Sequence, residues 1–166
     1  MTGLLHFAMT ATRTLGTNLR RLVELLDGDV DAAYADAGLG FRATFTPVVR
    51  ALLAGGTLSV RELAIAAGTS HSAASQTVAQ MKRAGLLDAA GSSDGRERRV
   101  QLSADARRIL PAVQALWRRA DEAAAELDAE LDAELGLCLN DVISQALEAL
   151  GHRAFRTRFP DIQNDA

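Results

Sequence analysis

The sequence is poor in the residue types that form disulfide bonds and metal sites. Its one cysteine, Cys138, cannot form an intrachain disulfide or a cysteine-based zinc site. The three histidines, His6, His71 and His152, are scattered, and none has a second histidine or a carboxylate at a metal-ligand spacing on one helix face. We therefore expect no metal and no cofactor.

Long apolar runs and a signal peptide are also missing. No stretch approaches the ~18 consecutive apolar residues of a membrane span, and the first residues lack a basic start and a cleavage site. These absences predict a cytoplasmic protein without a membrane partner. A nucleophile elbow, a phosphate loop and a convincing carboxylate pair are missing too, so we predict no catalytic site and no enzyme.

Aromatic residues make up only 4% of the chain, whereas 48% of its residues are hydrophobic, with alanine and leucine dominant. This composition favours packing of helix on helix over a sheet sandwich. The 166 residues suffice for one domain, or for one domain with a helical appendage. We therefore expect a mostly α fold.

The net charge of −3 is unevenly distributed. Residues 61–108 contain eight Arg or Lys against five Asp or Glu, whereas residues 121–148 contain nine acidic residues and no basic one. A basic middle suits a surface that faces DNA. The acidic stretch suits either an arm that faces another subunit or a solvated helix face.

Apolar periodicity predicts three helices before residue 56. Residues 10–26 form an amphipathic helix that ends at the Asp-Gly-Asp sequence of 27–29. A short helix over 30–37 follows. Another begins at Thr46-Pro47, because proline is harmless at a helix start, and stops at Gly55-Gly56.

Residues 58–84 have the pattern of a helix-turn-helix. Ser59 caps the first helix and forms a capping box with Glu62. Gly68 ends this helix, and Ser70 caps the second. Two helices joined by so short a glycine-containing turn are typical of the motif.

A β-hairpin and two further helices follow. One strand is predicted from 85 to 90 and a return strand near 98–102, with a polar tip between them. Ser103 then caps a long helix, in which Pro111 predicts a kink. A last helix spans 139–150.

These elements, in this order, resemble the MarR family of winged helix-turn-helix transcription regulators. The wing carries the clearest similarity: Asp94-Gly95-Arg96, five residues and then Leu102-Ser103 follow the family's wing pattern. Ser103 stands where the family usually has threonine, and it keeps the capping hydroxyl. The first helix, the recognition helix and the entry to the wing are similar at Leu63-Ala64, Gly68 to Ser75 and Gly85-Leu86-Leu87.

The resemblance implies a single domain over 1–166, mostly α with a small β-hairpin wing. Residues 42–102 would form the winged helix-turn-helix DNA-binding lobe, and residues 10–37 and 104–155 the helical dimerisation region. A homodimer that binds a palindromic operator in double-stranded DNA, as a repressor, would place its recognition helices roughly 34–36 Å apart. Alternatively, the terminal helices only close a monomeric bundle.

The second helix of the motif has two chemically different sides. Ala74, Val78 and Met81 would hold it on the domain, while short polar groups on the other side approach base edges. Gln76 can pair bidentately with adenine, although the polar side also fits a solvated face. Lys82 suits either a phosphate or the helix dipole. The predicted DNA-binding residues are Ser70, His71, Ser72, Ser75, Gln76, Lys82, Arg96 and Arg98.

The resemblance implies that wing arginines enter the minor groove and that Asp94 orients one of them through a salt bridge. Because successive residues of a strand point to opposite faces, we expect only one of Arg98 and Arg99 to face DNA. We favour Arg96 and Arg98 as the DNA-contacting pair.

The resemblance also implies a pocket for a small-molecule effector between the DNA-binding lobe and the dimer helices. The candidate lining residues are Phe41, Arg42, Phe45, Arg50 and Trp117, with core packing as the alternative for the aromatic ones. Cys138 lies near the C-terminus, unlike the redox cysteines of some relatives, so we expect a buried, inert thiol.

A second function class remains open. The net acidity and the single lysine would suit a winged-helix protein-interaction module without DNA affinity. Salt-sensitive binding to duplex DNA distinguishes the two classes.

Overall fold

The computed structural model describes residues 14–90, 99–152 and 154. The chain divides into two units, Met1–Trp117 and Arg118–Ala166. The described helices are α1 (Leu15–Asp36), α2 (Thr46–Gly55), α3 (Val60–Ala66), α4 (His71–Arg83), α5 (Ala104–Leu135) and α6 (Leu139–His152). The described strands are β1 (Leu58–Ser59), β2 (Leu87–Ala90) and β3 (Arg99–Leu102), and a 3-10 helix covers Ala43–Phe45. The mostly α fold with a small β-hairpin is confirmed.

Helix α1 corrects one prediction. A break at 27–29 between two helices was expected, but one helix runs from Leu15 to Asp36. Gly28 lies inside it and does not take a positive φ. A glycine in a helix interior costs only about 1 kcal/mol relative to alanine. The burial of Tyr34, whose ring meets Phe41 edge to face at 4.9 Å, anchors the last turn and outweighs this cost.

Helices α3 and α4 form the predicted helix-turn-helix. The capping box is confirmed: the Ser59 hydroxyl accepts from the Glu62 N–H at 3.3 Å, and the Glu62 carboxylate accepts from the Ser59 N–H at 2.8 Å. Gly68, at φ 63°, supplies the left-handed conformation that ends α3. The Ser70 hydroxyl then accepts from the Ala73 N–H at 3.2 Å and caps α4.

The three described strands form one antiparallel sheet in the order β1-β3-β2. The predicted hairpin of β2 and β3 is confirmed, and the extended stretch before α3 adds β1 to its far side. Gly85, at φ 72°, turns the chain from α4 into β2. The wing tip, residues 91–98, lies outside the described residues.

One apolar core holds the first unit together. It combines Tyr34 at the end of α1, Phe41 and Phe45 with side chains from α2, α3, α4, the two strands of the hairpin and the first part of α5. Because α4 and the sheet share this core, their relative position is fixed by close packing. Its most deeply buried members include Leu52, Leu63, Met81, Val100 and Val113.

The long helix α5 begins as predicted, with Ser103 as its cap, and it continues through Pro111. In the second unit, α6 extends two residues beyond its predicted end at 150. The N–H of Asn140 there donates to the Asp128 carboxylate at 3.2 Å. No helix in the described part of the chain is long and apolar enough to cross a membrane.

Candidate nucleic-acid interface

Helix α4 presents two different faces. Ala74, Val78 and Met81 are 2%, 4% and 0% exposed, so the predicted apolar side is confirmed. The opposite side is exposed and consists of short or neutral polar side chains, which can approach base edges closely. It carries His71, Ser72, Ser75, Gln76 and Ala79.

The two ends of α4 hold the other predicted contacts of this helix. Ser70 is exposed and is the N-cap, so its hydroxyl oxygen is already bonded to the Ala73 N–H. Lys82 and Arg83 lie exposed in the last turn. There their charge complements the helix dipole and also remains accessible to a phosphate.

The structure describes only one of the arginines at the wing, Arg99. Asp94, Arg96 and Arg98 lie outside the described residues. Arg99 is described, and its Nη2 donates to Glu62 Oε2 at 2.8 Å and to the Thr57 carbonyl at 2.9 Å. The Arg99 side chain therefore points to the start of the helix-turn-helix. Arg98, as the DNA-facing member of the two, stays a prediction.

The contact of Glu62 with Arg99 was not found from the sequence. Glu62 was recognised only as part of the capping box, and the two residues lie on different elements with no local spacing rule to connect them. The backbone hydrogen bond from Ser59, together with the bonds from the Ser59 side chain and Arg99, holds the pKa of Glu62 below its usual value of 4.5. The pair is therefore charged at neutral pH.

Ser103 joins the end of the wing to the turn after α4. Its hydroxyl donates to the Gly85 carbonyl at 2.7 Å and accepts from the Ala106 N–H at 3.0 Å. Its own N–H donates to the Leu86 carbonyl at 3.0 Å. The predicted cap is confirmed, and the same hydroxyl also ties the end of β3 to the turn after α4.

The residues predicted to line a ligand pocket lie in two separate parts of the first unit. Phe41 and Phe45 are 7% and 3% exposed, and their rings meet edge to face at 5.7 Å. With the exposed Arg42 they line a surface cavity of about 530 Å³, whose opposite wall is the last turn of α4. Gln80 and Arg83 belong to that wall.

Arg50 and Trp117 lie elsewhere in the first unit. The Arg50 guanidinium sits over the Trp117 ring, 4.9 Å from its centroid. The Trp117 Nε1–H donates to the Thr46 hydroxyl at 3.1 Å. Arg50 lines a different surface cavity, of about 680 Å³, between α2 and α3. The five residues therefore do not line one cavity in this structure.

Three further observations concern groups outside this face. In the part of the chain that the structure describes, the Tyr34 hydroxyl is buried with no hydrogen-bond partner. Cys138, which was expected to be buried, is a free cysteine that is only half-buried. Among the described residues, no group of His, Cys, Asp and Glu can hold a metal ion.

Comparisons with known proteins address the fold. Residues 46–99 match the model of the MarR family, a segment that runs from the start of α2 to the first residue of β3. The comparison with curated proteins finds no match. Among solved structures, the chain is similar to a MarR family transcriptional regulator from Silicibacter pomeroyi, with 25% identity over 86% of this chain and 88% of that one and a TM-score of 0.50.

Two more distant structures have a higher TM-score. The M. tuberculosis transcriptional regulator MosR, solved in complex with DNA, shares 22% identity over 89% of this chain and 100% of that one, with a TM-score of 0.62. Bordetella bronchiseptica BpsR, whose DNA binding is regulated by 6-hydroxynicotinic acid, shares 15% identity over 85% and 94%, with a TM-score of 0.59. At these identities the similarity shows a common fold.

MarR family transcriptional regulators are DNA-binding proteins without enzymatic activity, in agreement with the prediction that the chain is not an enzyme. The helix-turn-helix, the hairpin and the matched segment coincide in this chain. The segment from α2 to β3 thus matches the model of the MarR family, and the chain has the winged helix-turn-helix fold of the MarR family transcriptional regulators.

Proposed function

We propose that the chain is a homodimeric, sequence-specific regulator that binds double-stranded DNA and acts as a repressor at a palindromic operator. The observation that carries the proposal is the exposed polar face of α4, which buried Ala74, Val78 and Met81 hold in place from behind. A helix held in this way can enter a major groove without losing its own packing. The DNA complex of MosR, which has the same fold, supports it.

The proposed contacts divide into base readers and phosphate contacts. Ser75 and Gln76 face outward on α4 and are the candidates for base edges. The phosphate candidates are Lys82 at the end of α4 and Arg96 and Arg98 on the wing, with Asp94 orienting an arginine. Ser70, His71 and Ser72 complete the set at the start of α4.

Exposed apolar rows on the terminal helices support the dimer. On α1, Leu15, Leu19, Val23 and Leu26 are 70%, 46%, 55% and 46% exposed at helical spacing. On α6, Val142, Leu147 and Leu150 are 45%, 67% and 43% exposed. Contiguous apolar rows of this kind mark interaction surfaces. We therefore assign the dimerisation region to residues 10–37 and 104–155, and the DNA-binding lobe to 42–102.

We also propose that a small molecule modulates the regulator through the cavity beside Phe41, Arg42 and Phe45. Because its opposite wall is the last turn of α4, an occupant there would contact the recognition helix directly. Such a ligand regulates only if it binds one conformation of the lobe better than another. NadR, solved with 4-hydroxyphenylacetate, and BpsR offer parallels among proteins of the same fold.

The test is a binding titration with a fluorescent duplex from the region upstream of the gene, and with a scrambled duplex of equal length. The proposal predicts preference for the upstream duplex, two protomers for each site, and a steep loss of affinity between ~50 mM and ~200 mM salt. Absence of binding at the lowest salt concentration would instead favour the protein-interaction module.

A further inference from the structure

One carboxylate oxygen in the lobe is shared between two donors on different elements. Glu62 Oε2 accepts from the Ser59 N–H at 2.8 Å and from Arg99 Nη2 at 2.8 Å. The Arg99 Nη2 also donates to the Thr57 carbonyl at 2.9 Å. The start of α3 and the strand β3 are therefore held by one cluster of charge-assisted bonds, which are stronger than neutral ones.

This cluster lies at the base of the wing. Arg99 belongs to the central strand, where it is paired with Ser59 on one side and Ala90 on the other. It is the first described residue after the wing tip, and its side chain is 28% exposed. A shift of one residue along a strand would turn each side chain to the opposite face. The bonds of Arg99 to Glu62 and Thr57 oppose such a shift.

We propose that Glu62 and Arg99 are positioning residues for DNA binding, whose ion pair holds the strand β3 against the start of α3 and so sets β3 relative to the recognition helix α4. The inference rests on the proposed function. Arg99 occupies the α3 side of β3, where it bonds to Glu62 and to the Thr57 carbonyl. Since α3 is joined to α4 by a turn of four residues, 67–70, whatever fixes β3 to α3 also fixes the wing to α4.

The direction in which DNA affinity changes when Glu62 is neutralised distinguishes a positioning role from an effect of net charge alone. Glu62 is an acidic group in a DNA-binding lobe, so its neutralisation should strengthen DNA binding if only the net charge matters. If Glu62 holds Arg99 in place, the same neutralisation weakens DNA binding. Glu62→Gln is well suited to this test because glutamine also serves in a capping box, so α3 keeps its N-terminal bond.

The experiment measures the affinity for the upstream duplex for the wild type, Glu62→Gln, Arg99→Gln and the double variant. We expect each single variant to bind about fivefold more weakly, and the double variant to bind no more weakly than Arg99→Gln, because residues in one network couple. Arg99→Lys keeps the charge and should recover part of the loss. Asp88→Asn, on the exposed part of β2, is the matched control and should bind as tightly as the wild type or more tightly.

The salt dependence gives a second readout. If Arg99 positions the wing without contacting a phosphate, Arg99→Gln leaves the slope of log affinity against log salt unchanged, whereas loss of a phosphate contact lowers that slope by about one unit. Denaturant unfolding of each variant shows whether the lobe remains folded.

Three outcomes would overturn the inference while leaving the proposed function intact. The first is Glu62→Gln that binds as tightly as the wild type or more tightly, and the second is a double variant whose loss equals the sum of the two single losses. The third is a slope lowered by about one unit in Arg99→Gln, which would make Arg99 a phosphate contact. A wild-type protein that binds no duplex would overturn the proposed function itself, and the inference with it.

Discussion

Arg50 lies over Trp117, with its guanidinium carbon 4.9 Å from the centroid of the ring, while the indole N–H donates to Thr46 at 3.1 Å. These contacts join α2 to α5 within the first unit. Cation–π contacts of this kind contribute roughly 0.5–1 kcal/mol when partly exposed. The contact between Arg50 and Trp117 thus stabilises the packing of α2 against α5.

Arg50→Met should lower the free energy of unfolding by ~0.5–1 kcal/mol, because it removes the cation from the ring. Trp117 is the single tryptophan of the chain, so its fluorescence emission reports the change directly. Arg61→Met, at an exposed position on α3, is the matched control and should leave both quantities unchanged. Equal effects from the two substitutions would argue against the contact.

Ser103→Ala should destabilise the lobe by about 1–2 kcal/mol, because it removes a helix cap and leaves the Gly85 carbonyl without its hydroxyl donor. Ser103→Thr keeps the hydroxyl and should retain most of the stability. Urea unfolding of the two variants measures the difference. The role assigned to the hydroxyl fails if threonine is as damaging as alanine.

Gln76→Ala should relax base preference at one position in each half-site, because Gln76 is an exposed amide on the outward face of α4. Titration against duplexes with every base at each operator position measures the preference. Gln80→Ala, the same truncation at a half-buried position of α4, should leave the preference unchanged. Equal losses on operator and random DNA for Gln76→Ala would remove its assignment as a base reader.

Arg96→Ala should weaken binding to all duplexes to a similar degree, because a wing arginine is proposed to contact the backbone or the minor groove. The loss should shrink as salt increases. A loss confined to one operator sequence would instead make Arg96 a specific reader.

Leu147→Glu should shift the protein from dimer to monomer, because it places a charge on a side chain that is 67% exposed in the apolar row of α6. Gln145→Glu adds the same charge at an exposed polar position of this helix and should leave the dimer intact. Sedimentation over a range of protein concentrations measures both. A Leu147→Glu protein that stays dimeric would remove α6 from the interface.

Features with a local chemical signature were predictable from the sequence. The capping box of Ser59 and Glu62, the turn at Gly68 and the cap at Ser103 each depend on residues a few positions apart, and all three are confirmed. The two faces of α4 followed from helical periodicity.

Features that depend on tertiary packing were not predictable in the same way. The break expected near Gly28 was wrong because the burial of Tyr34 outweighs a local helix penalty. The bond of Arg99 to Glu62 joins a strand to a helix that lies far from it in the sequence, and no local spacing rule predicts such a contact. The contact of Arg50 with Trp117 likewise joins residues far apart in the sequence, and no local pattern indicates it.

The most direct test of the central claim, a dimer that presents α4 and the wing to duplex DNA, is a footprint over the region upstream of the gene. The account predicts two protected stretches related by a two-fold axis, with centres ~10–10.5 base pairs apart or a multiple of that distance, at two protomers per site. A footprint without protection at low ionic strength, or a single half-site covered by a monomer, would contradict it.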